Sequence, residues 1–287
     1  MASQQDPTES NTYMMDHESA AEMARLLDQD RIFTEAMGGL LSERTNDFTG
    51  IERVLDAGCG PGGWSQELAF AHPEIEVTGI DLSETMVNYA RAQAKVQVLD
   101  NARFQVMDLQ QPLAFPDNTF DLVNARLLGF FSPAFWPQLV QEYLRITRPG
   151  GLIRLTETEM SVSNSPALEQ EHVWFFRSLW QMGQSFSSNG QRLTITAQLA
   201  PLLRQAGCRN VQVKAYAIDW SSGTPAHEAI YKDMRVGFKL IEPFYLATGV
   251  ATQEELNKTY EQMLIEVQQE TFSAAHYLLS ASGEKPA

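Results

Sequence analysis

The stretch "VLDAGCGPGGW", Val54 to Trp64, sets five glycines or prolines among eleven residues, directly after an apolar run. Such a loop serves where the chain must turn tightly or bring bare backbone against a ligand, because glycine reaches left-handed conformations cheaply and carries no side chain. Gly58, Gly60 and Gly63 satisfy G-x-G-x-x-G between a strand candidate at Ile51 to Leu55 and a helix candidate from about Gly63 to Ala71. Taken alone the pattern is weak. It leaves open a plain tight turn, a phosphate cradle of the dinucleotide-binding kind, or another ligand that needs exposed backbone.

The segments after the loop restrict the fold. "IEVTGI" (75–80) reads as a second strand, and a helix starts near Ser83, whose hydroxyl suits an N-cap with Glu84 in the first turn. "ARFQVM" ends at Asp108, "FDLVNA" (120–125) comes after the turn-like "FPDN", and a helix from about Ala134 to Thr147 stops at "RPGG". "GLIRLTETE" is a fifth strand signal. Strands alternating with helices predict an α/β fold with a doubly wound, mostly parallel sheet. The second half is less regular. It holds a helical stretch over 167–186, a helix near 195–206, the strand "NVQVKAYAI", helical signals over 226–246 and 253–269 and a last β-like run "TFSAAHYLLSAS".

Three carboxylates sit after the first three strands: Asp56, Asp81 and Asp108. Asp81 is where a dinucleotide fold would put its ribose acid. Asp56, two residues before Gly58, would instead set like charge beside a pyrophosphate, whereas it would welcome a cationic amine. The three together make an acidic rim suited to a ligand rich in amine and hydroxyl donors.

"VLDAGCGPGG", "VTGIDLS", "VMDLQQPLAFPDNTFDLV" and "RITRPGGLIRL", with the closing run "FSAAHYLLSASGEKP", resemble the class I S-adenosylmethionine-dependent methyltransferases, in particular their ubiquinone/menaquinone-methyltransferase-like small-molecule group. The resemblance covers roughly residues 45 to 160 and the C-terminal run. It implies a Rossmann-like seven-stranded sheet with an antiparallel last strand, and S-adenosylmethionine as cofactor. It implies that Asp56, Gly58, Gly60 and Gly62 wrap the methionine part. Asp81 would bond the ribose hydroxyls, with Leu82 beside the adenine, and Met86 would also bind the cofactor. Asp108 would take the adenine amine, with Leu109 stacked nearby, and Asn124, Ala125 and Arg126 would lie under the cofactor. Tyr13 matches a tyrosine that many relatives place before the core, closing over the methionine end. An S-adenosylmethionine-binding regulatory protein without transfer activity and an NAD-dependent oxidoreductase are the rival readings.

The net charge of −15 disfavours a nucleic-acid partner, and the segment after the fourth strand, "NARLLG", lacks an N-P-P-[YFW] motif. No apolar run approaches the length of a spanning helix, and the N-terminus does not read as a signal peptide. Cys59 and Cys208 form neither a disulfide framework nor metal-ligand spacing, and no metal is expected. A cytoplasmic monomer or homodimer is the expectation. The domain reading is a flexible segment over 1–16, a helical cap over 17–44, the cofactor core over 45–160, an aromatic-rich insertion over 161–190, and the rest of the sheet over 191–287 with a helical insertion at about 225–269.

The acceptor reading rests on "LEQEHVWFFRSLWQMGQSF" (168–186) and "AIYKDMRVGFKLIEPFYLATG". Their aromatic residues suit a small, partly aromatic or apolar metabolite, or else dock these helices on the sheet or a second subunit. His172 and His227 are the candidate general bases at neutral pH, with Glu157 and Glu159 behind them. Oxygen, nitrogen and carbon acceptors all stay open.

Overall fold

The computed structural model describes Met14, Met15 and residues 19–287. Tyr13, His17 and, apart from Met14 and Met15, the segment read as flexible lie outside the described residues. Within the span read as a helical cap, one α-helix, α1 (Ala20–Met37), runs to a left-handed Gly38.

From there strand and helix alternate: β1 (Arg53–Ala57), α2 (Gly63–Ala71), β2 (Glu76–Asp81), α3 (Glu84–Val96), β3 (Ala102–Val106), β4 (Phe120–Arg126), α4 (Trp136–Ile146) and β5 (Thr147–Ser163). Local chemistry explains the boundaries. Ser83 Oγ accepts from the Met86 amide at 3.2 Å, so α3 begins at the expected cap. The helix α4 turns Trp136, Leu139, Val140, Tyr143 and Ile146 inward, one stripe of an amphipathic helix. β1 and β4 are buried along nearly their whole length, as central parallel strands covered on both faces must be.

The chain continues through α5 (Pro166–Gln181), α6 (Leu199–Ala206), β6 (Arg209–Asp219), α7 (His227–Thr248), α8 (Gln253–Val267) and β7 (Ala274–Glu284). The helix α5 stops at Gln181, short of the 186 that the periodicity suggests, and Gly183 lies just beyond with φ +69°. The seven strands form one sheet in the order β3-β2-β1-β4-β5-β7-β6. β1, β2, β3, β4 and β5 pair in parallel, and β7 runs antiparallel to both β5 and β6. This is the doubly wound, Rossmann-like sheet with a reversed strand that the motifs imply. The strand order reverses between β1 and β4, so their carboxyl ends open the crevice in which such sheets hold ligands.

A second apolar cluster lies over that end of the sheet. Here α7 packs on α1 and α5, and Trp174, Tyr231, Phe238 and Tyr245 are buried between them. Trp174, Tyr231 and Tyr245, read from the sequence as possible ligand wall, therefore serve to dock these helices.

Candidate functional site

The glycine-rich loop spends its amides on the end of β2 and on itself. Gly58 and Cys59 both donate to the Ile80 carbonyl (2.8 and 2.9 Å), Gly62 donates to Cys59 (2.9 Å), and Gly60 donates to Asp81 Oδ2 (2.9 Å). Pro61 has no N–H. A phosphate cradle needs such amides aimed outward, and these four point inward. Gly58, Gly60 and Gly62 all have positive φ. A Cβ on Gly58 would lie 2.7 Å from Leu128 Cδ2, and one on Gly63 would lie 2.5 Å from Asp30 Oδ2. The loop thus lets the β4 exit and α1 close in on the end of β1.

A first cavity of about 170 Å³ opens there. Asp56, Gly58 and Gly60 line it at the end of β1, Asp81 and Leu82 at the end of β2, and Met86 from the first turn of α3. Asp108 and Leu109 come from the segment just after β3, and Arg126 from the end of β4. Asp81 accepts from Ser83 N at Oδ1 and from Gly60 N at Oδ2, and Asp108 Oδ1 accepts from Gln110 N, which fixes both carboxylates at or just past strand ends. Trp64 adds a wall, with the Arg126 guanidinium 5.8 Å from its ring centre, and Arg126 is ion-paired with Asp30 of α1.

Gly62, Asn124 and Ala125, three of the thirteen expected cofactor contacts, stand behind the wall rather than on it. A Cβ on Gly62 would meet Phe104, Gln66 and Ala90, so this glycine lets α2 and α3 pack against β3. Ala125 is in the core. Asn124 is wholly buried, donating to Asp56 Oδ1 (2.9 Å) and accepting from Arg154 (3.1 Å). Arg154, 1% exposed, also pairs with Glu43 (3.0 Å). Asp56 differs from the open rim carboxylate of the sequence reading. It is buried, Ser65 Oγ donates to it at 2.6 Å, and burial pushes it up to about 6 against its two hydrogen bonds.

A second cavity of about 210 Å³ adjoins the first, and Leu26, Gln29, Leu127 and Phe130 line both. Its wall is mostly apolar: Ile32 and Phe33 from α1, Phe175 and Leu179 from α5, Ile230, Met234 and Phe238 from α7. The polar lining comprises Arg25, Glu157, Thr158, Glu171, Asp233 and His276, beside the shared Gln29. The sequence puts the N-terminal helical cap within reach of an acceptor but singles out no residue of α1 for this wall. No motif marks that helix, because its role depends on tertiary placement.

Neither expected histidine lines either of these cavities. His172 is buried beside Glu171, and burial, then His276, holds it down at about 3, so it stays neutral. His227 bonds the Trp220 carbonyl at 3.0 Å and stacks between Trp220 and Tyr231. Both serve packing. Of the two acids ranked behind them, Glu157 lines the second cavity, while Glu159 accepts from Thr196 Oγ1 at 2.8 Å outside that lining.

Residues 54–151 match the model of the methyltransferase domain family. The demethylmenaquinone methyltransferase of Geobacillus kaustophilus is 30% identical over 180 residues, 58% of this chain and 74% of that protein. The Lysinibacillus sphaericus demethylmenaquinone methyltransferase is 30% identical over 201 residues, 66% and 79% of the two chains. Among solved structures, phosphoethanolamine N-methyltransferase 2 of Haemonchus contortus in complex with S-adenosylmethionine superimposes with a TM-score of 0.54 at 20% identity. That match covers 89% of this chain and 57% of the other, so the chain spans little more than half that protein's length. The chain belongs to the class I S-adenosylmethionine-dependent methyltransferases, in the quinone-methyltransferase-like group. It is an S-adenosylmethionine-dependent methyltransferase.

Proposed function

We propose that the first cavity holds S-adenosylmethionine and the second holds the methyl acceptor, a small, partly aromatic or apolar metabolite. The observation that carries this reading is the shared wall. Leu26, Gln29, Leu127 and Phe130 border both spaces, so a ligand in each would meet at that wall.

The residues of the first cavity fit this cofactor. Gly58 and Gly60 present bare backbone to its amino-acid end, Asp81 accepts from the ribose hydroxyls, and Asp108 accepts from the adenine amine. Leu82, Met86 and Leu109 supply apolar contact to the adenine. Asn124 acts from behind, by holding Asp56, and Gly62 and Ala125 act through packing. When bound, the cofactor supplies an electrophilic methyl group and leaves as S-adenosylhomocysteine. The protein's part is to align the acceptor and keep water away, which an apolar pocket does by shape and dryness.

Calorimetric titration with S-adenosylhomocysteine, NAD and NADH tests the cofactor assignment. Binding of the first alone is expected. Binding of a nicotinamide cofactor without it would overturn the assignment.

A further inference from the structure

We infer that Glu157 takes the acceptor's proton, so that the acceptor carries an O–H or N–H at its reacting end and no acidic group. This rests on the second cavity being the acceptor's.

The argument is positional. Glu157, 2% exposed, lines the second cavity from β5, and its Oε1 accepts from the Leu128 amide at 2.6 Å. Leu128 lines the first cavity, and Phe130, two residues on, lines both. Glu157 is therefore tied to the loop that separates the two spaces. The Leu128 and Gly129 amides occupy two of the roughly four lone-pair sites of its carboxylate, which leaves room for a donor from the cavity.

Of the other titratable groups of that lining, His276 and Asp233 are committed elsewhere, while Glu171, on α5, keeps a buried Oε2 with no hydrogen bond. His276 has both nitrogens on hydroxyls, Thr158 at 2.7 Å and Ser161 at 3.0 Å. Asp233 accepts from Arg25 and Gln29, and Glu171 accepts from the Tyr245 hydroxyl.

The charge of the lining sets the acceptor class. Three carboxylates, Glu157, Glu171 and Asp233, face one cation, Arg25, which already pairs with Glu22 and Asp233. A phosphate or carboxylate on the acceptor would be desolvated among like charges. A hydroxyl or amine finds acceptors.

The step balances. The acceptor's lone pair forms the new bond to the methyl carbon, and the carbon–sulfur bond breaks with its electrons staying on sulfur. The O–H or N–H proton passes to the Glu157 carboxylate.

Burial, reinforced by Glu159, lifts Glu157 to about 8, so its basic form grows as pH rises through that value. The charged and titratable groups around it are Glu159 on its own strand, Tyr143 from α4, and across the cavity Arg25, Glu171, Asp233 and His276.

An apolar cavity of about 150 Å³ accepts benzene, so this larger one is matched to a bicyclic probe. The test titrates 2-naphthol, 2-methoxynaphthalene and 2-naphthoate at pH 8.5 into the full-length protein saturated with S-adenosylhomocysteine. Naphthol is expected to bind about tenfold more tightly than its methyl ether, which lacks the donor, and naphthoate most weakly. Glu157→Gln should erase the preference for naphthol over the ether while leaving S-adenosylhomocysteine affinity within about threefold. Equal binding of the three probes, or no binding of naphthol, overturns the inference. So does a Glu157→Gln protein that keeps the preference, or one that loses cofactor affinity in step with it, since the residue would then only hold the loop. If the variant does not fold, the wild-type series still decides. Failure of the wild-type protein to bind S-adenosylhomocysteine would instead strike the two-cavity reading itself.

Discussion

The two cavities share a wall and are built by different means. Strand ends and backbone shape the first: loop amides turned inward, glycines that admit their neighbours, and carboxylates fixed by the next amides along the chain. Side chains from α1, α5 and α7, helices far apart in sequence, shape the second. A backbone-built site constrains its ligand through a short contiguous motif. A side-chain-built one is free to change its ligand without disturbing the sheet.

This contrast breaks first, and hardest, at the floor of the first cavity. Arg154→Met leaves Glu43 buried without its cation and removes a donor from Asn124. A loss of about 3–5 kcal/mol in urea unfolding is expected, and a loss under about 1 kcal/mol would show that the network is not structural. In the second cavity the corresponding change is milder. Phe175→Ala should weaken 2-naphthol binding about fivefold, about 1 kcal/mol of lost apolar contact, and leave S-adenosylhomocysteine affinity unchanged. Equal weakening of both ligands would mean that the two spaces act as one site.

A third effect is a pH dependence. Glu157 is held at about 8 when folded against an ordinary value of 4.5. Its protonated form therefore contributes stability in full below about pH 4.5, and that contribution is lost as pH rises through about 8. Glu157→Gln should lose less stability than wild type between pH 5 and pH 8.5, measured by urea unfolding. Parallel slopes would contradict the burial assigned to this side chain.

The same contrast explains how much of the site is legible in the sequence. The loop, Asp81 and Asp108 are readable because each comes within a residue or two of its strand, so local order fixes their place. The reversed β7 comes from the resemblance rather than from periodicity, which carries no strand direction. By sequence Asp56 is an open carboxylate, but its burial depends on Asn124 and Ser65 meeting it, 68 and 9 residues away. His172 and His227 stand out by the ordinary titration range of histidine. Their exclusion is tertiary: one lies beside a buried glutamate, the other in an aromatic stack. The stripe 168–186 does contain cavity residues, Phe175 and Leu179, but helical periodicity alone does not separate them from Trp174, which is buried against Tyr245 outside the cavity lining.

The central claim, that the adenosyl cofactor lies on the strand ends of the first cavity, is tested most directly by calorimetric titration of Asp81→Ala with S-adenosylhomocysteine. Removing a charged acceptor for the ribose hydroxyls should weaken binding by about 1.5–3 kcal/mol, at least tenfold. Unchanged affinity in a folded variant would contradict it.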